Sequence, residues 1–193
     1  MPSAPPNTPE IAKERLKQLL ADFAQRPRPI HVVRKSSYWH QRAAGMALKI
    51  ITLGGQNSYL SHYVTTLGHT IFVPDDFESW DPTQAWETLR HEAVHVRQFE
   101  RYGWLGMILF YGILPLPIGL AYGRARLEWE AYTETLRAVA EAEGLQAAKS
   151  PFLHHRIVRR FTGPDYAWMW PFPKTIQRWI DSAIEEIEKT PPR

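Results

Sequence analysis

From residue 9 to residue 25 the apolar positions Ile11, Leu16, Leu19, Leu20 and Phe23 recur at the spacing of one helix face, and Pro27 and Pro29 close the segment. Residues 30–39, IHVVRKSSYW, read as extended, with Val32 and Val33 as β-formers. An amphipathic stretch at about 39–52 fits a helix or a strand equally well. Residues 59–74, YLSHYVTTLGHTIFVP, form the best hairpin pattern: two runs rich in Thr and aromatic residues flank Leu67-Gly68-His69, and Pro74 ends the second. A helix is then expected over 81–103, with Asp81 as N-cap, Pro82 at its first position, Gln84 completing a capping box and Gly103 as the stop. Residues 102–123 carry no charge, yet Pro115, Pro117 and four glycines between 106 and 123 argue for a helix, a break and a second element. A further helix follows at 124–143, then a loop containing FLHHRIVRRF, the aromatic run YAWMWPFP, and a last amphipathic helix at 174–189.

Composition narrows the chemistry more than the fold. At 193 residues with 44% hydrophobic and 22% charged positions, the chain suits one domain over residues 9–189, with polar tails at 1–8 and 190–193. The absence of cysteine excludes disulfides and thiolate metal sites, leaving His, Asp and Glu as ligands. The net charge of +3 is mild. Its local runs, Arg34-Lys35 and Arg156 to Arg160, lack any nucleic-acid motif and read as a solvated basic face, so no nucleic-acid partner is expected. The first ten residues are polar and Pro-rich rather than a charged segment followed by an apolar one, which is no signal peptide; a cytoplasmic location is the expectation.

The expected helix at 81–103 contains His91-Glu92-Ala93-Val94-His95. Side chains four apart lie one turn above each other, so His91 and His95 can share one zinc ion, while Glu92 can hold a water beside it without being a ligand. Composition alone yields this spacing in roughly 2% of shuffled chains, so a third ligand has to be found. Downstream candidates are Glu128, Glu130, Glu134, His154, His155 and Asp165. On the 124–143 helix, Glu130 shares a face with Arg126, Glu134, Arg137 and Glu141, a charged stripe suited to solvent. Glu128 shares its face with Ala131, Tyr132, Thr135 and Val139. A carboxylate on that face must be paired or metal-bound. Helix-face geometry therefore selects Glu128, with a buried pair to Arg97 or Arg124 as the alternative.

HEAVH followed by Glu128-Trp129-Glu130-Ala131-Tyr132 resembles the gluzincin metallopeptidases, above all those related to CAAX-processing and heat-shock membrane proteases, whose second motif is Glu-x-x-Ala-Asp. The helix HEAVHVRQFERYG is also similar to the HExxHxxQ helix of short bacterial predicted metallopeptidases. The likeness covers residues 91–132. It implies an α+β, mainly helical zincin-like domain with a small antiparallel sheet, a Zn2+ cofactor on His91, His95 and Glu128, and hydrolysis of a peptide or protein substrate. Zinc would polarise the scissile carbonyl and Glu92 would act as general base. Tyr132 stands where the family's Asp would orient a histidine, and Gln98, on the His91/His95 face, is a candidate for that role. Tyr132, His154, His155 and Tyr166 are candidates for stabilising an oxyanion, and Thr70–Val73 is a candidate edge for an extended peptide.

The uncharged stretch tests this reading. Were it to cross a bilayer, the histidines and Glu128 would lie ~30 Å apart on opposite sides. The zinc reading therefore requires a hairpin that turns back near Leu114 to Pro117, either buried, covering the cleft, or touching a membrane surface. The competing functional class is non-enzymatic: a membrane-surface or partner-binding module using this hairpin and the Trp-rich tail, with a structural or vestigial metal site.

Overall fold

The structure, a computed structural model, describes residues 7–37, 64–111, 121–164 and 168–190. Helix α1 (Pro9–Gln25) begins where expected: Pro9 sits in its first turn and the Thr8 hydroxyl accepts from the Ile11 backbone N–H at 3.4 Å. Asn7, assigned by sequence to a tail, donates to the Thr83 hydroxyl at 2.9 Å. Strand β1 (His31–Arg34) leads into a short 3-10 turn at Lys35–Ser37. Strands β2 (Thr65–Leu67) and β3 (Thr70–Val73) form the expected hairpin, and Gly68 supplies the positive φ of its turn at 59°.

The sheet corrects two expectations. Its order is β1-β3-β2, with β3 antiparallel to β2 but parallel to β1, so it is mixed rather than antiparallel. The parallel pair joins strands far apart in sequence, which no local turn signal announces. Strand β3 is consequently central and hydrogen-bonded on both sides, so it offers no free edge to a peptide.

Helix α2 (Pro82–Tyr111) starts at Asp81, whose Oδ1 accepts from the backbone N–H groups of Thr83 and Gln84 at 2.9 and 3.1 Å. Gly103 breaks it as expected, with φ 63° and ψ 179°, but the chain re-enters helix at once and runs on to Tyr111. Helix α3 spans Tyr122–Glu143, α4 Leu145–Ala148, α5 Pro151–Thr162 and α6 Pro173–Lys189. FLHHRIVRRF is therefore helical, not a loop. Leu153, Ile157 and Phe161 recur there at four-residue spacing and are buried, a short helical pattern interrupted in sequence by charge.

Packing explains how α2 comes to face α3. Trp86, Leu89, Ala93 and Val96 form one stripe of α2; the last three meet Phe23, Ile30, Ile71 and Val73 in an apolar core under the sheet. Trp86 instead packs with Ala138 and Ala142 of α3. The opposite face of α3 joins α5 and α6 in the largest cluster, built around Leu136, Ile157, Phe161, Ile176 and Ile180. The result is α+β and mainly helical. The turn expected at 114–117, the stretch at 39–52, Asp165 and Tyr166 lie outside the described residues.

Candidate metal centre

Three side chains from two helices converge. His91 Nε2 and His95 Nε2 each lie 3.9 Å from Glu128 Oε2, and one ligand atom from each residue falls within 4.8 Å of the others. A tetrahedral zinc ~2.0–2.1 Å from each ligand atom needs them roughly 3.4 Å apart, so one ion would require contraction of about half an ångström along the two 3.9 Å separations and of up to about 1.4 Å along the widest. Among the described residues this is the one His/Asp/Glu group so arranged. Glu128 lies on a buried helix face, as its neighbours in sequence implied: its side chain is 3% exposed. The chain does fold back, because Gln98 on α2 donates to the Leu127 carbonyl on α3 at 2.9 Å.

The surroundings fix both histidines in the ligand tautomer. The Thr135 hydroxyl donates to the Ala131 carbonyl at 3.2 Å, so its oxygen accepts from His91 Nδ1 at 3.0 Å. The Gln98 amide donates to Leu127 O and, at 3.0 Å, to Glu130 Oε2, leaving its oxygen to accept from His95 Nδ1 at 2.9 Å. With each Nδ1 carrying a hydrogen, each imidazole in its neutral form presents the Nε2 lone pair towards Glu128. Gln98 is only 1% exposed, and its side-chain oxygen holds the His95 ring by the bond to Nδ1. Tyr132 packs its ring edge-on against His91 at 4.9 Å.

Electrostatics favour a cation here. Burial pushes the Glu128 carboxyl up to about 7, with the Glu92 charge adding to the rise and His95 opposing it. Burial, then the neighbouring His95, holds His91 well below its ordinary value. Burial also lowers His95, but Glu128, Glu92 and Gln98 outweigh it and raise the group overall. A divalent cation held there would neutralise the buried carboxylate and use the lone pairs of both imidazoles.

Glu92 projects one residue round the helix, towards the sheet, where Thr66 Oγ1 donates to its Oε2 at 2.6 Å. It is 8% exposed. Lys35, only 3% exposed, lies close enough for the Glu92 charge to raise its pKa, although burial dominates and lowers it to about 8. Sequence reasoning missed Thr66, Lys35 and Thr135. Only Thr135 had left a signal, seven residues beyond Glu128 on the same helix face.

The remaining candidates are placed elsewhere. Glu130 supports Gln98 and pairs with Arg101 at 3.6 Å, and Glu134 pairs with Arg90 at 2.6 Å. Their stripe is thus not wholly a solvent face: Arg90 bridges Glu134 and Glu141 while stacking on Trp86 at 4.6 Å. His154 Nε2 bonds to the Ala148 carbonyl at 2.9 Å, and His155 is exposed on α5.

Were the cluster to hold zinc, replacing Gln98 by leucine would be expected to lower its affinity about 10–100-fold in a chelator-competition titration, because His95 loses its orienting acceptor. An unchanged affinity would remove that role from Gln98.

The chain matches no family model, no curated protein and no solved structure.

Proposed function

We propose that the protein is a zinc-dependent metallopeptidase of gluzincin type, with His91, His95 and Glu128 as ligands and Glu92 as general base. The observation that carries the reading is the buried His91–His95–Glu128 cluster, with both Nδ1 atoms committed elsewhere and both Nε2 atoms turned to one carboxylate oxygen. A purely structural ion pair would leave two buried imidazoles sharing one carboxylate, with no reason for their tautomers to be set so consistently.

Zinc bound there supplies Lewis-acid chemistry, polarising a carbonyl and bringing the pKa of water near 7. Glu92, held by Thr66 and beside the buried Lys35 ammonium, accepts the proton of the attacking water. It then delivers that proton to the amine nitrogen as the C–N bond breaks. A peptide fits as substrate because both halves of the step, addition to a carbonyl and protonation of a poor leaving group, need a base that turns into an acid. The test is metal content and hydrolysis together. Protein purified without chelators should carry one zinc per chain and cleave members of a mixed peptide library, losing both with a strong chelator and regaining both with zinc.

A pH dependence follows from the ligands. Metal binding requires Glu128 and His95 to shed protons, and both hold them more tightly than usual, whereas His91 is already neutral. Where both are protonated, below the Glu128 value of about 7, zinc affinity should therefore rise with pH by up to about a hundred-fold per unit, one proton from each group, and less steeply as each ionises. Competition titrations across that window check the slope; an affinity independent of pH would contradict the ligand assignment.

A further inference from the structure

Beyond Gly103, α2 turns its apolar side chains outward. Leu105 is 84% exposed, Trp104 59%, Leu109 54%, Ile108 50% and Phe110 38%, while Met107 points into the core. Trp104 with Ile108, and Leu105 with Leu109, make two adjacent rows four residues apart, a single helix face. The patch continues onto α3 and the chain before α6. The Phe110 ring lies so close to Gly123 that a Cβ there would meet it at 2.8 Å. Tyr122, 53% exposed, packs on Trp170 at 5.3 Å, and Trp170 packs on the exposed Phe172 at 4.9 Å. None of these residues is needed to hold the His91–His95–Glu128 cluster.

Two features decide what the patch meets. A protein partner is recognised through a polar rim that makes hydrogen bonds around an apolar centre. The described residues of the patch on α2 and α3, 102–111 and 121–123, contain no charged residue and no Ser, Thr, Asn or Gln, so the patch lacks a mixed polar rim of that kind. Its borders are cationic instead: across residues 101–127 there is no acidic residue, and Arg101, Arg124 and Arg126 stand at the two ends. Arg101 keeps 59% of its side chain exposed even while pairing with Glu130, and Arg126 is exposed as well. Aliphatic and aromatic side chains bordered by arginines complement the hydrocarbon edge and the anionic headgroups of a bilayer.

We propose that the end of α2 and the start of α3 form a docking surface for an anionic membrane, lying in the interface rather than crossing it. No helix among the described residues is long and apolar enough to cross a membrane. After the Gly103 break α2 continues for residues 104–111, roughly 12 Å of helix, against the ~30 Å of a hydrocarbon core. Tyr122 precedes Glu128 by six residues on one helix, about 9 Å along its axis, so docking brings the buried cluster close to the lipid surface. The docking surface is independent of the zinc reading and holds for a chain that binds no metal.

Co-sedimentation of the full chain with phosphatidylcholine vesicles, with and without one quarter phosphatidylglycerol, tests it. Binding to the anionic vesicles is expected, weaker by about ten-fold or more on the neutral ones. The double variant L105E/I108E should bind at least about ten-fold more weakly. Shallow-brominated lipids should quench tryptophan fluorescence of the unaltered protein, which keeps the test decisive should the variant misfold. Absence of anionic-vesicle binding, binding untouched in a folded double variant, or absence of quenching would overturn the proposal. So would a dimer broken by the double variant without vesicle binding, which would assign the patch to a second copy of the chain.

Discussion

Changing Glu128 to glutamine is expected to weaken zinc binding on the order of a thousand-fold while making the metal-free protein no less stable. The first effect follows from removing one of three ligands and the only formal negative charge among them. The second is less usual. Glu128 is buried with a carboxyl raised to about 7, so its folded pKa lies above the ordinary 4.5. A carboxyl raised in this way contributes stability below its ordinary pKa and loses it as pH rises through the folded value. At pH 8, without metal, the ionised carboxylate therefore costs up to about 3 kcal/mol, which the glutamine variant does not incur. With zinc present the order reverses, because only the unaltered chain gains the binding energy. Thermal melts of both proteins at pH 8, in chelator and in zinc, should cross. A variant destabilised equally in both conditions would make Glu128 a structural ion-pair partner.

The second large effect concerns the proposed base. Glu92→Gln should keep zinc within a few-fold and lower peptide hydrolysis by about 10²–10⁴-fold. Glutamine preserves the shape and can still accept from the Thr66 hydroxyl, so the local packing survives. It cannot accept a proton at neutral pH, and that loss alone stops the transfer from water to the leaving amine. Mass-spectrometric turnover of the library peptides cleaved by the unaltered protein measures it. Loss of zinc along with activity would show instead that Glu92 supports the ligands, and full activity would assign the base elsewhere.

The parts of this structure visible in the sequence are those governed by local rules. Proline at the start of α1 and α2, the Asp81 cap, the positive φ at Gly68 and the break at Gly103 each follow from one residue's backbone or side chain. Glu128 was visible because helix geometry gives each position a face, and a carboxylate on an apolar face needs a partner. What stayed hidden depends on chain segments meeting at long range. The parallel pairing of β1 with β3 has no turn to announce it, so the sheet read as antiparallel and β3 as an edge. Lys35 followed a strand in a basic run and read as surface, yet it is buried beside Glu92. Thr66 sat in a hairpin whose distance from α2 no periodicity could give. Glu130 and Glu134 belonged to a charged stripe that looked solvated until Arg90, Gln98 and Arg101 on α2 closed over it.

The central claim is that His91, His95 and Glu128 hold one zinc ion. X-ray absorption at the zinc edge, on protein loaded with one equivalent, tests it most directly. The expected first shell contains two imidazole nitrogens and at least one carboxylate oxygen at ~2.0–2.1 Å, with the remaining position filled by a light atom of solvent. In Glu128→Gln at the same loading, the carboxylate contribution should disappear. A shell with no imidazole scattering, or one unchanged by removal of Glu128, would contradict the claim.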